Sequence, residues 1–346
     1  MNPSQPSTIS SQVTGLAEPY RDPGQPRRKR WIGAVVRIAV SLALVAWVLR
    51  QIDTAAFARQ FATQSPVWLV AAAFATLAQI AIAAARWRQI LMGLGIAASS
   101  RTVLSVSYIA SFFNAWLLGT MGGDVARAVL APAGERGRAA VVHSVLLDRI
   151  MTFTGLGLVI LPLAVLGAGP LARSVPLMVS LVAAFVPLFL IPAVGPVTRL
   201  ISWRRVPFTG LALGLAESWS RLRGARFAVA VVIAVISALA LSATAWCLSQ
   251  AQHLDVSFVD YLMLMPPVVL LSGLPISIGG WGVRENAMIA ALATVGVGAS
   301  AATVLSVQLG ALVALLSLPG GALWLWRHMA SSHSPPASAA VEREPS

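Results

Sequence analysis

Long apolar segments separated by short basic ones make up most of the chain. Crossing a bilayer as a helix takes about 20 predominantly apolar residues. Six segments satisfy this, at residues 31–49, 66–85, 139–166, 175–191, 227–248 and 302–326. The pattern predicts an all-α polytopic membrane protein.

Two further apolar stretches, residues 102–130 and 258–295, are long but are broken in the middle by glycines. Basic residues lie on both sides of the first stretch, at Arg86, Arg88 and Arg101 before it and at Arg136 and Arg138 after it. Lys and Arg favour the cytoplasmic side of a membrane. A single crossing would place one of these groups outside, so each stretch is predicted to be a re-entrant helical hairpin.

The loop charges agree with six spans and two hairpins. In this topology only Arg50, Arg59 and Arg173 lie outside. Sixteen basic residues lie inside: Arg27, Arg28, Lys29, Arg30, Arg86, Arg88, Arg101, Arg136, Arg138, Arg199, Arg204, Arg205, Arg221, Arg223, Arg226 and Arg327. The count predicts a multi-pass protein of the cytoplasmic membrane with both termini in the cytoplasm.

Composition divides the chain into three parts. Residues 1–30 are rich in Ser, Pro and Gln and end in a basic cluster, which predicts a disordered basic leader. Residues 31–328 form one predicted membrane domain, and residues 329–346 a short disordered tail. Mean hydropathy is +0.78, and only 11% of residues are charged, against roughly a quarter in soluble domains.

The net charge of +13 does not indicate nucleic acid as a partner, because the basic residues flank apolar segments as they do at the ends of membrane spans. Cys247 is the only cysteine and the four histidines are scattered, so no metal site is predicted. The chain shows no nucleotide-binding fingerprint and no nucleophile motif. No cofactor is expected.

The two predicted hairpins share a motif. The first contains Gly122-Gly123 followed by Arg127, and the second contains Gly279-Gly280 followed by Arg284. In each, the arginine comes four residues after the second glycine, and the two halves start on opposite sides of the membrane. This predicts an inverted repeat, a common plan of secondary transporters with the substrate at the repeat interface.

The motif suits an anion. A helix that starts inside the membrane presents free N–H groups and a positive dipole end, and Arg127 and Arg284 would add fixed charge for a phosphate or carboxylate. Asn114 could line the same cavity or make an interhelical hydrogen bond. The alternative for both glycine pairs is close helix packing.

Charged residues also lie within predicted membrane segments, where they usually have partners. Asp148-Arg149 belongs to a structural ion network, with Asp148 pairing with Arg127 or Arg284, or to a substrate or proton site. Glu285 is open to the same two interpretations. Asp124, Asp148 and Glu285 are expected to balance the arginines when the site is empty.

At these residues the chain resembles the membrane region of lysylphosphatidylglycerol synthases, a flippase-like domain also found in stand-alone proteins. The segment Pro275–Glu285 is the most specific match. Leu118 stands where the family usually has proline. The remaining matches are Asn114, Gly119, Gly122, Gly123, Asp124, Arg127, Asp148-Arg149 and Gly320-Gly321. The resemblance covers residues 30–328.

The resemblance implies a membrane region that translocates or accommodates a lipid, while aminoacyl transfer belongs to a separate soluble domain that this sequence lacks. We therefore expect a non-enzymatic lipid flippase or lipid-handling transporter. Its partners would be membrane lipids, anionic phospholipids or lipid-linked intermediates, and a lipid-synthesis enzyme. One alternative is a membrane enzyme acting on a lipid-linked substrate, with Asp148 and Glu285 as acid and base. The other is a non-transporting scaffold of a lipid-synthesis complex.

Overall fold

The structure, a computed structural model, describes residues 63–116, 121–167, 209–273 and 282–332, with scattered positions between 179 and 191. All regular structure in these residues is helical, as the apolar pattern predicts. The predicted leader lies outside the described residues. The elements are α1 (Pro66–Gly93), α2 (Ser100–Trp116), α3 (Gly122–Leu130), α4 (Gly137–Val165), α5 (Thr209–Arg221), α6 (Ala225–Ala251), α7 (Phe258–Ser272), α8 (Val283–Ala293) and α9 (Ala299–Ser332).

Four of these helices, α1, α4, α6 and α9, are long and apolar enough to cross a membrane. They coincide with four of the six predicted spans and make the chain a multi-pass membrane protein. The predicted span at residues 31–49 lies outside the described residues, as does most of the one at 175–191.

The spanning helices pack with defined directions. Helix α1 runs antiparallel to α6, because the Ser65 amide donates to the Ala251 carbonyl at 2.9 Å while Gly93, at the other end of α1, packs against Leu222 just before α6. One apolar cluster joins α1, α4 and the first half of α6. A second joins α7, α8 and α9 to the far end of α6. The polar site described below lies between elements of both clusters.

Each glycine-broken stretch contains two packed helices. Helices α2 and α3 flank residues 117–120, and α7 and α8 flank residues 274–281. The Gly123 amide, in the first turn of α3, donates to Asn114 Oδ1 of α2 at 2.7 Å. A Cβ on Gly123 would collide with the Ala110 carbonyl oxygen. Only glycine lets α3 approach α2 this closely.

Both helix pairs reach the same part of α9. Trp116, the last residue of α2, donates its Nε1–H to the Ala314 carbonyl at 3.1 Å. The guanidinium of Arg284, in the first turn of α8, lies against Gly310. Positions 310 and 314 are about one helical turn, roughly 6 Å, apart. The two pairs therefore come together near the middle of α9.

Two helices extend beyond the predicted segments. Helix α1 continues to Gly93 instead of ending at residue 85. Arg86 therefore belongs to the helix and, with 3% of its surface exposed, must be removed from the sixteen inside loop charges. Helix α9 continues to Ser332, so residues 329–332 extend the helix into the predicted tail.

The contact between α9 and α2 gives a first testable prediction. A Cβ on Gly320 would overlap the backbone carbonyl of Tyr108, so Gly320→Ala should destabilise the protein by roughly 1–3 kcal/mol. The measurement is the Tm in detergent. Gly298→Ala is the control, because a Cβ there meets nothing within 4 Å. Equal Tm values for the two variants would contradict the close packing of α9 on α2.

Candidate functional site

A cavity of about 380 Å³ lies where the two helix pairs meet α1, α6 and α9. Its polar lining consists of Thr76, Gln79, Ser107, Ser111, Asn114, Arg127, Arg149, Ser272 and Arg284. Its apolar walls include Ile80, Leu241, Met265, Val268, Val269, Leu309 and Val313. The cavity thus presents both polar and apolar side chains to a ligand.

The charge of the lining is one-sided. Arg127 of α3, Arg149 of α4 and Arg284 of α8 line the cavity, and none of its described lining residues is Asp or Glu. The carboxylates pair with these arginines from outside the lining. The structure therefore brings the arginines of both predicted hairpins to one cavity.

Arg127 is held on two sides. Its Nη1 forms an ion pair with Asp148 Oδ2 at 2.9 Å, and its guanidinium lies 5.1 Å from the centre of the Trp87 ring. The Trp87 indole N–H in turn donates to Ser144 Oγ at 3.0 Å. The Nε of Arg127 is buried and has no hydrogen-bond partner among the residues that the structure describes. Arg127 therefore keeps at least one buried donor unsatisfied in this part of the chain.

Asp148 has a second partner that the sequence did not suggest. Arg86 Nε pairs with Asp148 Oδ1 at 2.8 Å, and Arg86 Nη2 donates to Thr152 Oγ1 at 2.7 Å. One turn along α4, Thr152 donates to the Asp148 carbonyl at 2.9 Å. Asp148 is therefore shared between two arginines, of which only Arg127 lines the cavity.

The other two arginines also pair with carboxylates among the described residues. Arg149 pairs with Asp124 at 2.9 Å, and both side chains are partly exposed. Arg284 pairs with its neighbour Glu285 at 2.8 Å and donates to Ser306 Oγ at 3.3 Å. Glu285 also accepts from the Gly282 amide and so caps α8. Each predicted acidic residue therefore supports an arginine that lines the cavity.

The remaining predicted site residues are Asn114 and the two glycine pairs, and the structure describes only some of them. Asn114 lines the cavity and also makes the hydrogen bond to Gly123, so both interpretations of this residue hold. Gly122 and Gly123 are buried in the first turn of α3 and do not line the cavity. Gly279 and Gly280 lie outside the described residues. The alternative of close packing therefore describes Gly123, where a Cβ would collide with α2.

The sequence interpretation missed Arg86 and most of the polar lining, although signals for both exist. Apolar residues continue at helical spacing after Arg86, at Trp87, Ile90, Leu91 and Leu94, which is typical of a helix that has not ended. Ser107, Ser111 and Asn114 follow one another at intervals of four and three residues. This spacing places them on one helix face. A polar stripe within an apolar helix indicates a lined cavity.

The comparisons with known proteins give a family for the chain. No curated protein matches the chain. Residues 34–322 match the family model of the lysylphosphatidylglycerol synthase TM region. This match covers most of the chain, from the first predicted span into α9. The chain therefore belongs to the family of the lysylphosphatidylglycerol synthase TM region.

Proposed function

We propose that the protein is a lipid flippase or lipid-handling transporter whose cavity receives the headgroup of an anionic phospholipid or lipid-linked intermediate. The observation that carries the proposal is the lining, in which three arginines face the cavity and no carboxylate among the described residues does. A membrane protein of a lipid-related family meets anions mainly as lipid headgroups. Membrane lipids are therefore its proposed partners.

The chemistry of the lining fits a phosphate. A guanidinium binds a phosphate through two parallel charge-assisted hydrogen bonds. Asn114, Gln79 and Ser107 add polar groups. Ser107 Oγ is buried and has no hydrogen-bond partner among the described residues. The volume of about 380 Å³ is at the small end of ligand sites, which span about 300–1,000 Å³. It accommodates a headgroup, and the acyl chains would stay in the surrounding lipid.

The proposed topology has six spans and two re-entrant hairpins in an inverted repeat, with both termini in the cytoplasm. Its support is the meeting of the two helix pairs on α9 within about one turn. Without Arg86, the loop charges remain fifteen against three in favour of this orientation. In such repeats the substrate lies at the repeat interface near the midplane, where the cavity would then be.

Cysteine labelling tests the topology. Glu135 precedes α4, Asp255 lies between α6 and α7, and both are exposed. We expect Glu135→Cys to react only with an impermeant reagent applied from the cytoplasm, and Asp255→Cys only from outside. The background carries Cys247→Ser, because Cys247 is the only native thiol. If both positions reacted from the same side, the inverted topology would be wrong.

The geometry favours transport over lipid chemistry. Asp148 and Glu285, the acid and base of the enzymatic alternative, are each engaged by an arginine and neither lines the cavity. A general acid or base must come within hydrogen-bond reach of the proton that it transfers. Movement of the lipid without its conversion is therefore the better-supported activity.

Proteoliposomes distinguish the three functions. We expect the purified protein alone to move a fluorescent phosphatidylglycerol between leaflets faster than protein-free liposomes do, leaving the lipid chemically unchanged. A membrane enzyme would instead produce a lipid of altered mass. A scaffold would produce neither movement nor conversion, and either result would reject the proposal.

A further inference from the structure

The charges around the cavity do not cancel. Three arginine–carboxylate pairs are neutral, and one further arginine, Arg86, shares a carboxylate that is already paired. Within the described residues the set therefore carries one surplus positive charge. Its members are Arg86, Arg127 and Asp148, then Arg149 and Asp124, then Arg284 and Glu285.

We infer that Arg86 sets the preference of the cavity for anionic over zwitterionic headgroups, acting through Asp148 without touching the lipid. This inference rests on the proposed function and names a residue that determines its specificity. Arg86 does not line the cavity, so its role is that of a positioning residue.

The geometry explains how Arg86 acts at a distance. Arg86 engages Asp148 Oδ1 and Arg127 engages Oδ2, so one carboxylate is divided between two cations. Arg86 is 3% exposed and Asp148 is 2% exposed. Charges so deeply buried are costly unless they are compensated. Because Arg86 takes half of Asp148, Arg127, which lines the cavity, is left only partly compensated.

An anionic headgroup supplies the missing charge. The Nε of Arg127 is buried and has no hydrogen-bond partner among the described residues, and Arg127 lines the cavity. If the guanidinium turns toward a phosphate in the cavity, the phosphate would give this donor a partner and neutralise the surplus charge. A zwitterionic lipid brings a cation with its phosphate, and that cation would meet three arginines.

Arg86 also keeps the Asp148 carboxylate paired when an anionic ligand binds Arg127. When Arg127 turns toward a phosphate, Asp148 is still held by Arg86, which Thr152 fixes in place. Without Arg86, Asp148 and Arg127 would form a closed neutral pair. A phosphate would then have to break that pair and would leave a buried carboxylate unpaired, which is strongly unfavourable.

Charge-balanced variants test the inference. The measurement is the ratio of phosphatidylglycerol to phosphatidylcholine, with identical acyl chains, retained by the purified full-length protein in native mass spectrometry. The variants are Arg86→Gln, Arg86→Lys and the double variant Arg86→Gln, Asp148→Asn. Arg86→Gln removes the surplus positive charge of the set, and Arg86→Lys keeps it. The double variant also has the surplus charge, because it loses one arginine and one carboxylate and leaves Arg127 without Asp148.

We expect wild type to retain phosphatidylglycerol preferentially and Arg86→Gln to reduce that preference by roughly tenfold, the effect of a difference near 1.4 kcal/mol. Arg86→Lys should keep most of the preference, and the double variant should recover it. A purely structural role for Arg86 would make the double variant at least as impaired as Arg86→Gln.

Each outcome decides the question. Wild-type preference in Arg86→Gln overturns the inference, and so does a well-folded double variant that fails to recover the preference. If Arg86→Gln does not fold, the double variant and Arg86→Lys still decide, because both keep the surplus charge and should both retain the preference. A wild-type protein without any preference for phosphatidylglycerol would instead refute the proposed function, so the two failures are distinguishable.

Discussion

Replacing Arg127 and Arg284 together with alanine should reduce the movement of anionic phospholipid in proteoliposomes to near the rate of protein-free liposomes. Both guanidinium groups line the cavity, and they come from the two different helix pairs. A hydrogen bond to a charged group contributes about 1.5–3 kcal/mol, so losing two such contacts predicts a loss of roughly 100-fold or more.

The control for this double variant is Arg221→Ala combined with Arg226→Ala. Both of these arginines are exposed and neither lines the cavity. Arg284→Lys should give an intermediate rate, because it keeps the charge but loses the planar fork. Each variant must be monodisperse before it is compared. If the well-folded Arg127→Ala, Arg284→Ala protein moves anionic lipid as fast as wild type, the arginines are structural and the site assignment is wrong.

Asp148→Ala should destabilise the fold more than any other single change in the cavity's ion pairs. It leaves Arg86 and Arg127 buried side by side without their shared carboxylate. Removing one partner of a buried ion pair costs about 3–5 kcal/mol. The prediction is a large fall in Tm in detergent or loss of the folded protein.

Asp124→Ala is the matched control for this stability prediction. Its partner Arg149 has 41% of its side chain exposed and Asp124 has 27% exposed, so this pair is much less buried than the pair of Asp148 with Arg86. We therefore expect Asp124→Ala to lower the Tm less than Asp148→Ala does. Equal falls in Tm for Asp148→Ala and Asp124→Ala would show that the burial of Asp148 does not determine its contribution.

The spanning helices could be predicted from sequence because the bilayer constrains length and composition strongly. The helices α1, α4, α6 and α9 coincide with predicted segments for this reason. The end of α1 was predicted less well, because an arginine after an apolar run is typical of a span terminus. Arg86 is instead buried by its ion pair with Asp148 on α4, and nothing in the α1 segment alone reveals that partner.

The charged residues of the candidate site could be predicted from the sequence, but their partners could not. The charged residues were identifiable because ionisable groups in apolar segments are rare and usually functional or paired. The pairs that they form could not be identified, because Arg127 and Arg284 were both suitable partners for Asp148. Packing decides between them, because α3 places Arg127 against α4 while α8 places Arg284 beside Ser306 of α9. Pairing of this kind depends on helix crossings, which hydrophobic periodicity does not specify.

The most direct test of the central claim is a cryo-electron microscopy structure of the protein in nanodiscs that contain phosphatidylglycerol. The account predicts a lipid phosphate inside the cavity, within hydrogen-bond distance of the guanidinium of Arg127 or Arg284, with the acyl chains leaving between the helices. A cavity that holds no headgroup, with phosphatidylglycerol bound only on the outer surface of the helices, would contradict it.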